Sequence, residues 1–465
     1  MSTLLHSSIK PPVIPSMSSE HPDRHPVPGA GVVPSGAALR VSGSRLVDRL
    51  DALAAVGAIS GTRGSSRLAF TDADRDGRDL VVAWMQDLGL DVTVDVIGNA
   101  VGVWWAGHDP VTAPAPAMTG SHIDTVRTGG RYDGNLGVLA GLEVIETLIG
   151  AGVRPDRPLA VAFFSNEEGS RFAPDMMGSL VYVGGLAVED ALDTVGIDGA
   201  VVGDELERIG YRGTVPCPGP VPHAFVELHI EQGPVLEEAG IDIGVVEGVQ
   251  GISWTEITIE GQSNHAGTTP MRLRHDAAYV AARIATSVRE LAVEFGPPQV
   301  ATVGSLTLHP NLVNVVAASA LLTVDLRNTD DAVLTEAERR LSDLVDGLAA
   351  TEGVKIESRR LARLAPVSFD PAVVELVEST ARRLGHTTLR LPSGAGHDAQ
   401  MLARVCPTAM IFTPSHLGIS HNPAEHTPPD QLVAGADVLM GVIASLVGVD
   451  GGPAGPGPSD GQERP

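Results

Sequence analysis

Five short segments of this chain combine histidine or carboxylate side chains with residues that favour turns. They are SHIDT (121–125), GRYDG (130–134), SNEEG (165–169), HIEQG (229–233) and GISHNP (418–423). Imidazole and carboxylate groups are ligands for zinc, cobalt, nickel and manganese, and the lack of thiolates favours a catalytic over a structural metal site. The residue types therefore predict a catalytic metal centre.

A pair of metal ions about 3.5–4 Å apart can share one carboxylate, activate a water molecule and polarise a scissile carbonyl. The adjacent Glu167 and Glu168 suit such a centre. Two neighbouring side chains in a turn cannot both point at one ion, so one would bind metal and the other would take a proton from water. A lone histidine or Glu-Glu pair usually has an ordinary structural explanation. The prediction rests on their conjunction.

The elements around these segments indicate an α/β domain. Leucine and isoleucine recur at helical spacing from 136 to 149, and the apolar run 159–164 reads as a buried strand. Residues 224–231 alternate, which places Glu227 and His229 on one face of a strand. In open α/β sheets, strand-to-helix loops gather at the carboxyl ends of the strands, where ligands bind. The segments should therefore meet at one sheet edge.

From about residue 250 to 363 the pattern predicts a different unit. Its elements are strands at 252–260, 301–308, 319–327 and 354–362 with helices at about 274–295 and 331–350. This βαββαβ order is that of a ferredoxin-like unit. The predicted organisation is a catalytic domain formed by two segments, 41–249 and 364–448, which the inserted unit (250–363) separates. Disordered tails are predicted at 1–40 and 449–465.

Composition narrows the possible partners and compartment. The formal charge of -25 over 465 residues disfavours binding to nucleic acid or to anionic membranes. Only two cysteines occur, so no disulfide framework is expected. The chain also lacks a signal-peptide pattern and an apolar run of the roughly 20 residues that a membrane span needs. These features predict a cytoplasmic protein with a small-molecule substrate.

Seven motifs occur in the order typical of one enzyme family: GSHIDT, GGRYDG, NEEGSRF, HIEQG, NHAGTTPM, SGAGHDA and GISHNP. Over about residues 45–447 the chain resembles the dinuclear-metal amidases of the hydantoinase/carbamoylase family. That family includes N-carbamoyl-L-amino-acid hydrolases, allantoate amidohydrolases and β-ureidopropionases. The resemblance implies a metallo-exopeptidase-like catalytic domain with a mixed, mainly parallel sheet, and an inserted ferredoxin-like α+β domain that serves as lid and dimerisation surface.

The resemblance also implies two divalent metal ions, with zinc the first expectation and manganese, cobalt or nickel as alternatives. His122, Asp133 and His229 would hold one ion. Asp133, Glu168 and His421 would hold the other, so that Asp133 bridges the two.

Roles in catalysis and substrate binding follow from the same resemblance. Glu167 would be the general base, Asp124 would orient His122, and His265 would stabilise the oxyanion. The residues implied in substrate binding are Asn314 and Arg327 for a carboxylate, with Gln232, Gly396 and His397 nearby. The alternatives are a turn histidine at His265, a surface salt bridge at Arg327 and a helix cap at His397.

The expected reaction is hydrolysis of a carbamoyl or ureido C–N bond in a small carboxylate, first an N-carbamoyl-L-amino acid, giving the amino acid, carbon dioxide and ammonia. Allantoate, ureidoglycolate and β-ureido acids remain as alternative substrates. A dinuclear metallopeptidase or aminoacylase and a non-catalytic binding protein are more distant alternatives. His229 in HIEQG favours the carbamoylase branch, because peptidase-like relatives more often present a carboxylate there. A homodimer through the inserted domain is expected.

Overall fold

The structure is a computed structural model that describes residues 39–449. The predicted tails at 1–40 and 449–465 lie outside the described residues, except for residues 39, 40 and 449. The strands are β1 (Asp91–Val94), β2 (Ala100–Trp104), β3 (Ala117–His122), β4 (Leu159–Phe164), β5 (Ala224–Ile230), β6 (Ile243–Val249), β7 (Gly251–Glu260), β8 (Val300–His309), β9 (Ser319–Asn328), β10 (Lys355–Leu364), β11 (Val367–Ser368), β12 (Thr388–Ser393) and β13 (Thr408–Thr413). The helices are α1 (Gly43–Ala55), α2 (Asp72–Asp87), α3 (Asn135–Gly150), α4 (Met177–Tyr182), α5 (Val188–Leu192), α6 (Val202–Ile209), α7 (Val235–Ala239), α8 (Ala277–Phe295), α9 (Asp331–Glu352), α10 (Pro371–Arg383), α11 (Asp398–Leu402) and α12 (Pro429–Leu446), with short 3-10 turns at Met271–Leu273 and His416–Gly418.

The larger of the two sheets in the described range is mixed. Its order is β1-β2-β4-β3-β5-β13-β6-β11, with β12 also pairing with β6. The central strands β4, β3, β5 and β13 are mutually parallel, and antiparallel pairs flank them on both sides. All residues of β3, β4, β5 and β13 are buried, as expected for strands covered on both faces. The predicted α/β class is confirmed.

Helix α3 begins directly after the functional segment 130–134 and carries the predicted apolar pattern into the core. Its residues from Asn135 to Ile145 are all buried against the sheet and neighbouring helices. Each fully buried leucine or isoleucine side chain contributes roughly 1.5–3 kcal/mol to folding. The helix therefore holds the segment that precedes it firmly at the sheet edge.

The second sheet contains β10, β7, β9 and β8 in that order, and every pair is antiparallel. Helices α8 and α9 pack on it and share a separate apolar core that includes Ile257, Ile284 and Leu322. The chain order of these strands and helices is βαββαβ, and they run from residue 251 to 364. The division of the chain into domains at 250 and 363 stays a prediction. The lid and dimerisation roles of this unit stay predictions.

Helix α12 is the one helix of the described residues that is long and apolar enough to cross a membrane by length and composition. Half of it is buried within the protein, where it packs against α3, α10 and β13. A core helix satisfies the same criterion, so this feature gives only weak evidence of a membrane span.

Candidate metal centre and active site

Four adjacent parallel strands deliver side chains to one edge of the large sheet. His122 is the last residue of β3, Glu167 and Glu168 follow β4, His229 lies near the end of β5, and His421 follows β13. The register pairs His122 with Phe164 and His229 with Phe412, so these strand ends lie level with one another. Because parallel carboxyl ends share an edge, the predicted meeting of the segments occurs here.

Asp133 lies at the centre of this cluster. Its Oδ1 atom is 3.5 Å from Nε2 of His122 and 3.2 Å from Nε2 of His229. Its Oδ2 atom is 3.3 Å from Nε2 of His421, which is itself 3.2 Å from Oε2 of Glu168. These contacts form two triads, His122–Asp133–His229 and Asp133–Glu168–His421. Within each triad the candidate ligand atoms lie within 4.8 Å of one another. Asp133 belongs to both triads and presents a different oxygen to each.

The backbone sets the orientation of the two buried histidines. Nδ1 of His122 is 2.9 Å from the carbonyl oxygen of Asp124, and Nδ1 of His229 is 2.8 Å from that of Ile230. A carbonyl can only accept, so each Nδ1 carries a proton and each Nε2 can present a lone pair. The Gly134 N–H, 3.1 Å from Nε2 of His229, agrees with this tautomer. Both rings are prepared to bind a cation through Nε2.

Position 134 requires a glycine. Its φ of +66° lies in the left-handed region, and a Cβ atom there would approach Nε2 of His122 to 2.4 Å. The glycine lets the chain turn from Asp133 into α3 while the imidazole keeps its place. This explains the last residue of the GRYDG segment.

The side chains of the adjacent Glu167 and Glu168 point to different partners, as predicted for neighbouring residues in a turn. Oε2 of Glu167 lies 3.4 Å from Nε2 of His122, whereas Glu168 faces His421. Burial raises the pKa of Glu167 well above its usual range, against the attraction of His122 and with repulsion from Asp398 and Glu168. Glu167 is thus a buried carboxyl beside one triad and outside both.

Asp124 lies beside His122 as expected, but its carboxylate has a different contact. The nearest carboxylate oxygen is 3.9 Å from Nδ1 of His122, which binds the Asp124 carbonyl instead. The two carboxylate oxygens accept the backbone N–H groups of Glu167 and Glu168 at 3.2 and 3.3 Å. Burial raises the pKa of Asp124 to about 6. Asp124 therefore orients His122 through its backbone and braces the glutamate turn through its side chain.

The charges of the cluster suit divalent cations. Burial acts to raise the pKa of Asp133, but hydrogen bonds from the protonated forms of His122, His229 and His421 outweigh it and hold that pKa well below its usual range. A bound cation would take the place of those Nε2 protons. Contacts with Asp133 and Glu168 raise the pKa of His421 to about 10. Imidazole nitrogens and carboxylate oxygens converge with their lone pairs facing one another, which is the donor set that zinc, manganese, cobalt and nickel accept. The residues present fit such ions.

Three residues implied in substrate binding lie at the cluster. Nε2 of Gln232 donates to Oδ2 of Asp133 at 2.9 Å. His397 stacks edge-on against His229 with ring centroids 4.5 Å apart, and its Nε2 contacts the Ser393 hydroxyl. His397 stands at the N-cap of α11 but makes no side-chain cap hydrogen bond. Its Nδ1 and the Oε1 of Gln232 are buried without a hydrogen-bond partner among the described residues.

Gly396, the third of these residues, lies in the turn that leads to His397. A Cβ atom at Gly396 would come within 2.8 Å of the Met176 side chain. The position is therefore close-packed, and the glycine lets the turn approach the segment that follows β4.

The residues of the second sheet are placed differently. His265 and Asn314 are exposed and belong to two neighbouring loops joined by the Ala266 N–H and the Asn314 carbonyl. Nδ1 of His265 accepts the N–H groups of Gly267 and Thr268 at 3.1 and 3.2 Å, as a turn histidine would. Neither His265 nor Asn314 has a hydrogen bond or ion pair with the Asp133 cluster among the described residues. The structure does not bring them into contact with the candidate metal ligands.

Arg327, in contrast, reaches the catalytic domain. Its NH1 donates to the Gly394 carbonyl at 2.6 Å, and its Nε and NH2 donate to the Asp325 carboxylate. The side chain thus joins β9 to the turn that carries His397. Arg327 therefore forms an ion pair, which was the alternative to a role in substrate binding. It also lies near the predicted substrate site.

Several buried polar residues at the site were not predicted from the sequence. Glu227 accepts the Ser121 hydroxyl at 2.6 Å and the Ala399 N–H at 2.8 Å, which ties β3 to α11. The strand alternation already placed Glu227 on the face of His229, so that signal was available. Asp398 is fully buried, and burial together with repulsion from Glu227 raises its pKa well above the usual range.

Arg67 was also not predicted from the sequence, and nothing in its sequence context indicates a role at the site. The fully buried guanidinium donates to the Ile123 carbonyl at 2.7 Å and to Oδ1 of Asn135 at 2.8 Å. Burial lowers its pKa to about 10. One arginine therefore supports both the His122 loop and the start of α3.

Comparison with known proteins assigns the family. Residues 118–445 match the model of peptidase family M20/M25/M40. This chain belongs to that family. The N-carbamoyl-L-amino-acid amidohydrolase of Rhizobium meliloti is 40% identical to this M20-family chain over 405 residues, which cover 87% of this chain and 96% of the relative. The allantoate amidohydrolase of Bacillus subtilis (strain 168) is 33% identical over 410 residues, or 86% and 97% of the two chains.

Solved structures agree with the sequence relatives. An amidase of the hydantoinase/carbamoylase family from Burkholderia multivorans matches this M20-family chain with a TM-score of 0.85 and 44% identity, covering 88% of this chain and 99% of the other. The predicted family, the α/β fold and the enzyme class, a hydrolase of amide C–N bonds, are confirmed. Three groups of side chains among the described residues could hold a metal ion: the two that contain Asp133, and a third formed by Glu227, His229 and His397. They are consistent with a metal-dependent family.

Proposed function

We propose that this chain hydrolyses an N-carbamoyl-L-amino acid at the C–N bond between the carbamoyl carbon and the amino-acid nitrogen. The products are the L-amino acid and carbamate, which decays to carbon dioxide and ammonia. The observation that carries the proposal is Asp133, which faces His122 and His229 with one oxygen and His421 with the other. A carboxylate so placed is suited to bridge two ions.

We assign two divalent ions to the centre, zinc first and manganese, cobalt or nickel as alternatives. His122, Asp133 and His229 would hold one, and Asp133, Glu168 and His421 the other. When bound, such ions polarise the scissile carbonyl and lower the pKa of water. Glu167 takes the proton from the attacking water and holds it for transfer toward the leaving nitrogen. Its burial and raised pKa favour the protonated form that this step creates.

Substrate recognition is assigned to groups around the cluster. Arg327 and Asn314 would bind the substrate carboxylate, because a planar guanidinium can donate two parallel hydrogen bonds to it. Gln232 and His397 would contact the ureido group, which the unpaired Oε1 and Nδ1 atoms support. His265 would donate to the developing oxyanion. Gly396 would let the turn that carries His397 pack closely against Met176.

These last assignments require His265 and Asn314 to approach the centre. We propose a homodimer formed through the second sheet, since β8 is an edge strand with exposed apolar side chains at Val300 and Leu306. The approach would come from closure of the second sheet or from a second copy. Light scattering should give twice the chain mass, and a monomer at enzyme concentrations that retain full activity would refute the dimer as a requirement.

Metal dependence is tested by removing and restoring ions. Chelator-treated enzyme should lose activity and regain it with Zn²⁺, Mn²⁺, Co²⁺ or Ni²⁺, and the bound metal should approach two ions per chain. Full activity after complete metal removal would refute the mechanism. Metal analysis of protein purified without added metal identifies the native ion.

Substrate identity is tested with a panel of N-carbamoyl-L-amino acids, allantoate, ureidoglycolate, β-ureidopropionate, N-acetyl amino acids and dipeptides. The highest kcat/KM is expected for an N-carbamoyl-L-amino acid. A preference for allantoate or ureidoglycolate would keep the chemistry and change the substrate, whereas a preference for dipeptides or N-acetyl compounds would refute the carbamoylase proposal.

We also assign the enzyme to the cytoplasm. Both cysteines, Cys217 and Cys406, are free in the structure, which a reducing compartment favours. Fractionation of cells that express the native chain should recover it with cytoplasmic markers, and recovery outside the cell would refute this assignment.

A further inference from the structure

Glu425 lies in the loop that carries His421 and makes an unusual set of contacts. Its Oε1 atom accepts three consecutive backbone N–H groups, those of Arg131 and Tyr132 at 2.9 Å and of Asp133 at 3.3 Å. Its Oε2 atom lies 3.0 Å from the Ser420 hydroxyl. The residue is 1% exposed. One buried carboxylate thus ties the Asp133 loop to the His421 loop across 292 residues of sequence.

Gly130, the residue before Arg131, lies directly against this carboxylate. A Cβ atom at Gly130 would lie 2.0–2.3 Å from the carboxyl carbon and oxygens of Glu425. Only a glycine leaves this space, so residue 130 and Glu425 form one built contact. Substitution of either Gly130 or Glu425 should therefore disrupt the contact.

The two triads depend on this contact to different degrees. His122 and His229 are buried in adjacent strands, and their Nδ1 atoms are held by backbone carbonyls. His421 is 51% exposed and lies in a loop with a φ of +53°, a conformation that non-glycine residues adopt only when neighbouring contacts hold it. Besides the contact of His421 itself with Asp133, Ser420 and Glu425 supply side-chain contacts between that loop and the Asp133 loop.

We propose that Glu425 is a positioning residue for one of the two metal sites. By fixing the His421 loop against the Asp133 loop, it sets chiefly the Asp133–Glu168–His421 triad. The His122–Asp133–His229 triad shares Asp133, but both of its histidines are buried and held by backbone carbonyls. This inference rests on the proposed two-ion centre. Loss of a residue that holds a ligand in place typically weakens metal binding by about 10- to 100-fold.

The test measures ion binding by the full-length chain rather than activity alone. Metal-free wild-type protein is titrated with Co²⁺, with stoichiometry read by equilibrium dialysis and coordination by visible absorption. Wild type should bind two ions. Glu425→Ala should bind one with near-wild-type affinity and the second about 10- to 100-fold more weakly.

Two further variants separate positioning from general destabilisation. Gly130→Ala retains the carboxylate but displaces it, and should reproduce the weakened second site. Glu425→Gln retains an oxygen for the three amides and should recover most of the binding. Asp370→Ala serves as the control, since it removes a carboxylate that accepts two backbone N–H groups at the start of α10. It should lower thermal stability while both ions still bind.

The outcomes distinguish the two levels of the proposal. Two ions bound at wild-type affinity by both Glu425→Ala and Gly130→Ala would overturn the role of Glu425 and leave the proposed function intact. Fewer than two ions bound by saturated wild type would overturn both. If Glu425→Ala does not fold, Gly130→Ala and Glu425→Gln decide the question by the same measurement.

Discussion

The Asp133 cluster and the second sheet provide their functional groups in different ways. At the cluster, four adjacent strands of one sheet bring histidine and carboxylate side chains, most of them buried, within 3.2–3.5 Å of one another. On the second sheet, His265 and Asn314 are exposed in loops, whereas Arg327 contacts the catalytic domain. A metal centre can therefore be preformed within one sheet, whereas substrate recognition depends on how two separately folded sheets meet.

This difference predicts that substitutions in the two regions will have different effects on the enzyme. Changes at the cluster should alter metal content or the chemical step. Changes on the second sheet should leave the metal in place and alter KM. Four variants test this division, beginning with the largest expected effect.

Asp133→Ala should abolish the centre. It removes the one side chain common to both triads, so bound metal should fall toward zero and kcat/KM should fall by about 10³-fold or more. Metal analysis and steady-state kinetics measure both effects. Asp204→Ala, at an exposed position of α6, is the control and should change neither. An active, metal-replete Asp133→Ala enzyme would remove Asp133 from the centre.

Glu167→Gln should separate chemistry from metal binding. The amide cannot accept the proton of water, so kcat should fall by about 10²- to 10⁴-fold while metal content stays at the wild-type value. The neighbouring Glu168→Gln variant is the matched comparison and should lose metal instead. Turnover near wild type in Glu167→Gln would place the base elsewhere, and loss of metal in that variant would make Glu167 a ligand.

Arg327→Ala should raise KM for carboxylate substrates by about 10- to 100-fold, the effect of losing charge-assisted hydrogen bonds. Metal content should not change, because Arg327 contacts Asp325 and Gly394 rather than the triads. Arg327→Lys keeps the charge without the planar fork and should have a KM between those of wild type and Arg327→Ala. Arg359→Ala, an exposed arginine of β10 in the same sheet, is the control. An unchanged KM in Arg327→Ala would leave Arg327 with a structural role.

Asn314→Ala should have the smallest effect, a rise in KM of about 2- to 10-fold for the loss of one hydrogen bond. Metal content and thermal stability should match wild type, since the side chain is exposed. Gln262→Ala, exposed in the neighbouring loop, controls for local disturbance. If Asn314→Ala lowered metal content, the division between the cluster and the second sheet would be wrong.

Much of the architecture follows from local pattern. The bounds of α3, β4, β5 and the elements between 251 and 364 agree with the expected ones to within a few residues, because burial periodicity is a property of neighbouring positions. The chain also has tertiary contacts that spacing does not predict. Glu425 contacts Asp133 across 292 residues, and Arg67 contacts Asn135 across 68. These partners depend on which loops become neighbours after folding.

The sequence alone determined the residue types of the candidate metal centre and the strands that carry them, since parallel strand ends share an edge by a general rule. The tertiary structure decided which oxygen of Asp133 faces which imidazole, and that Asp124 orients His122 through its carbonyl. It also placed His265 and Asn314 away from the cluster. Side-chain hydrogen bonds are set by distances of a few tenths of an ångström, and only the packed chain defines those distances.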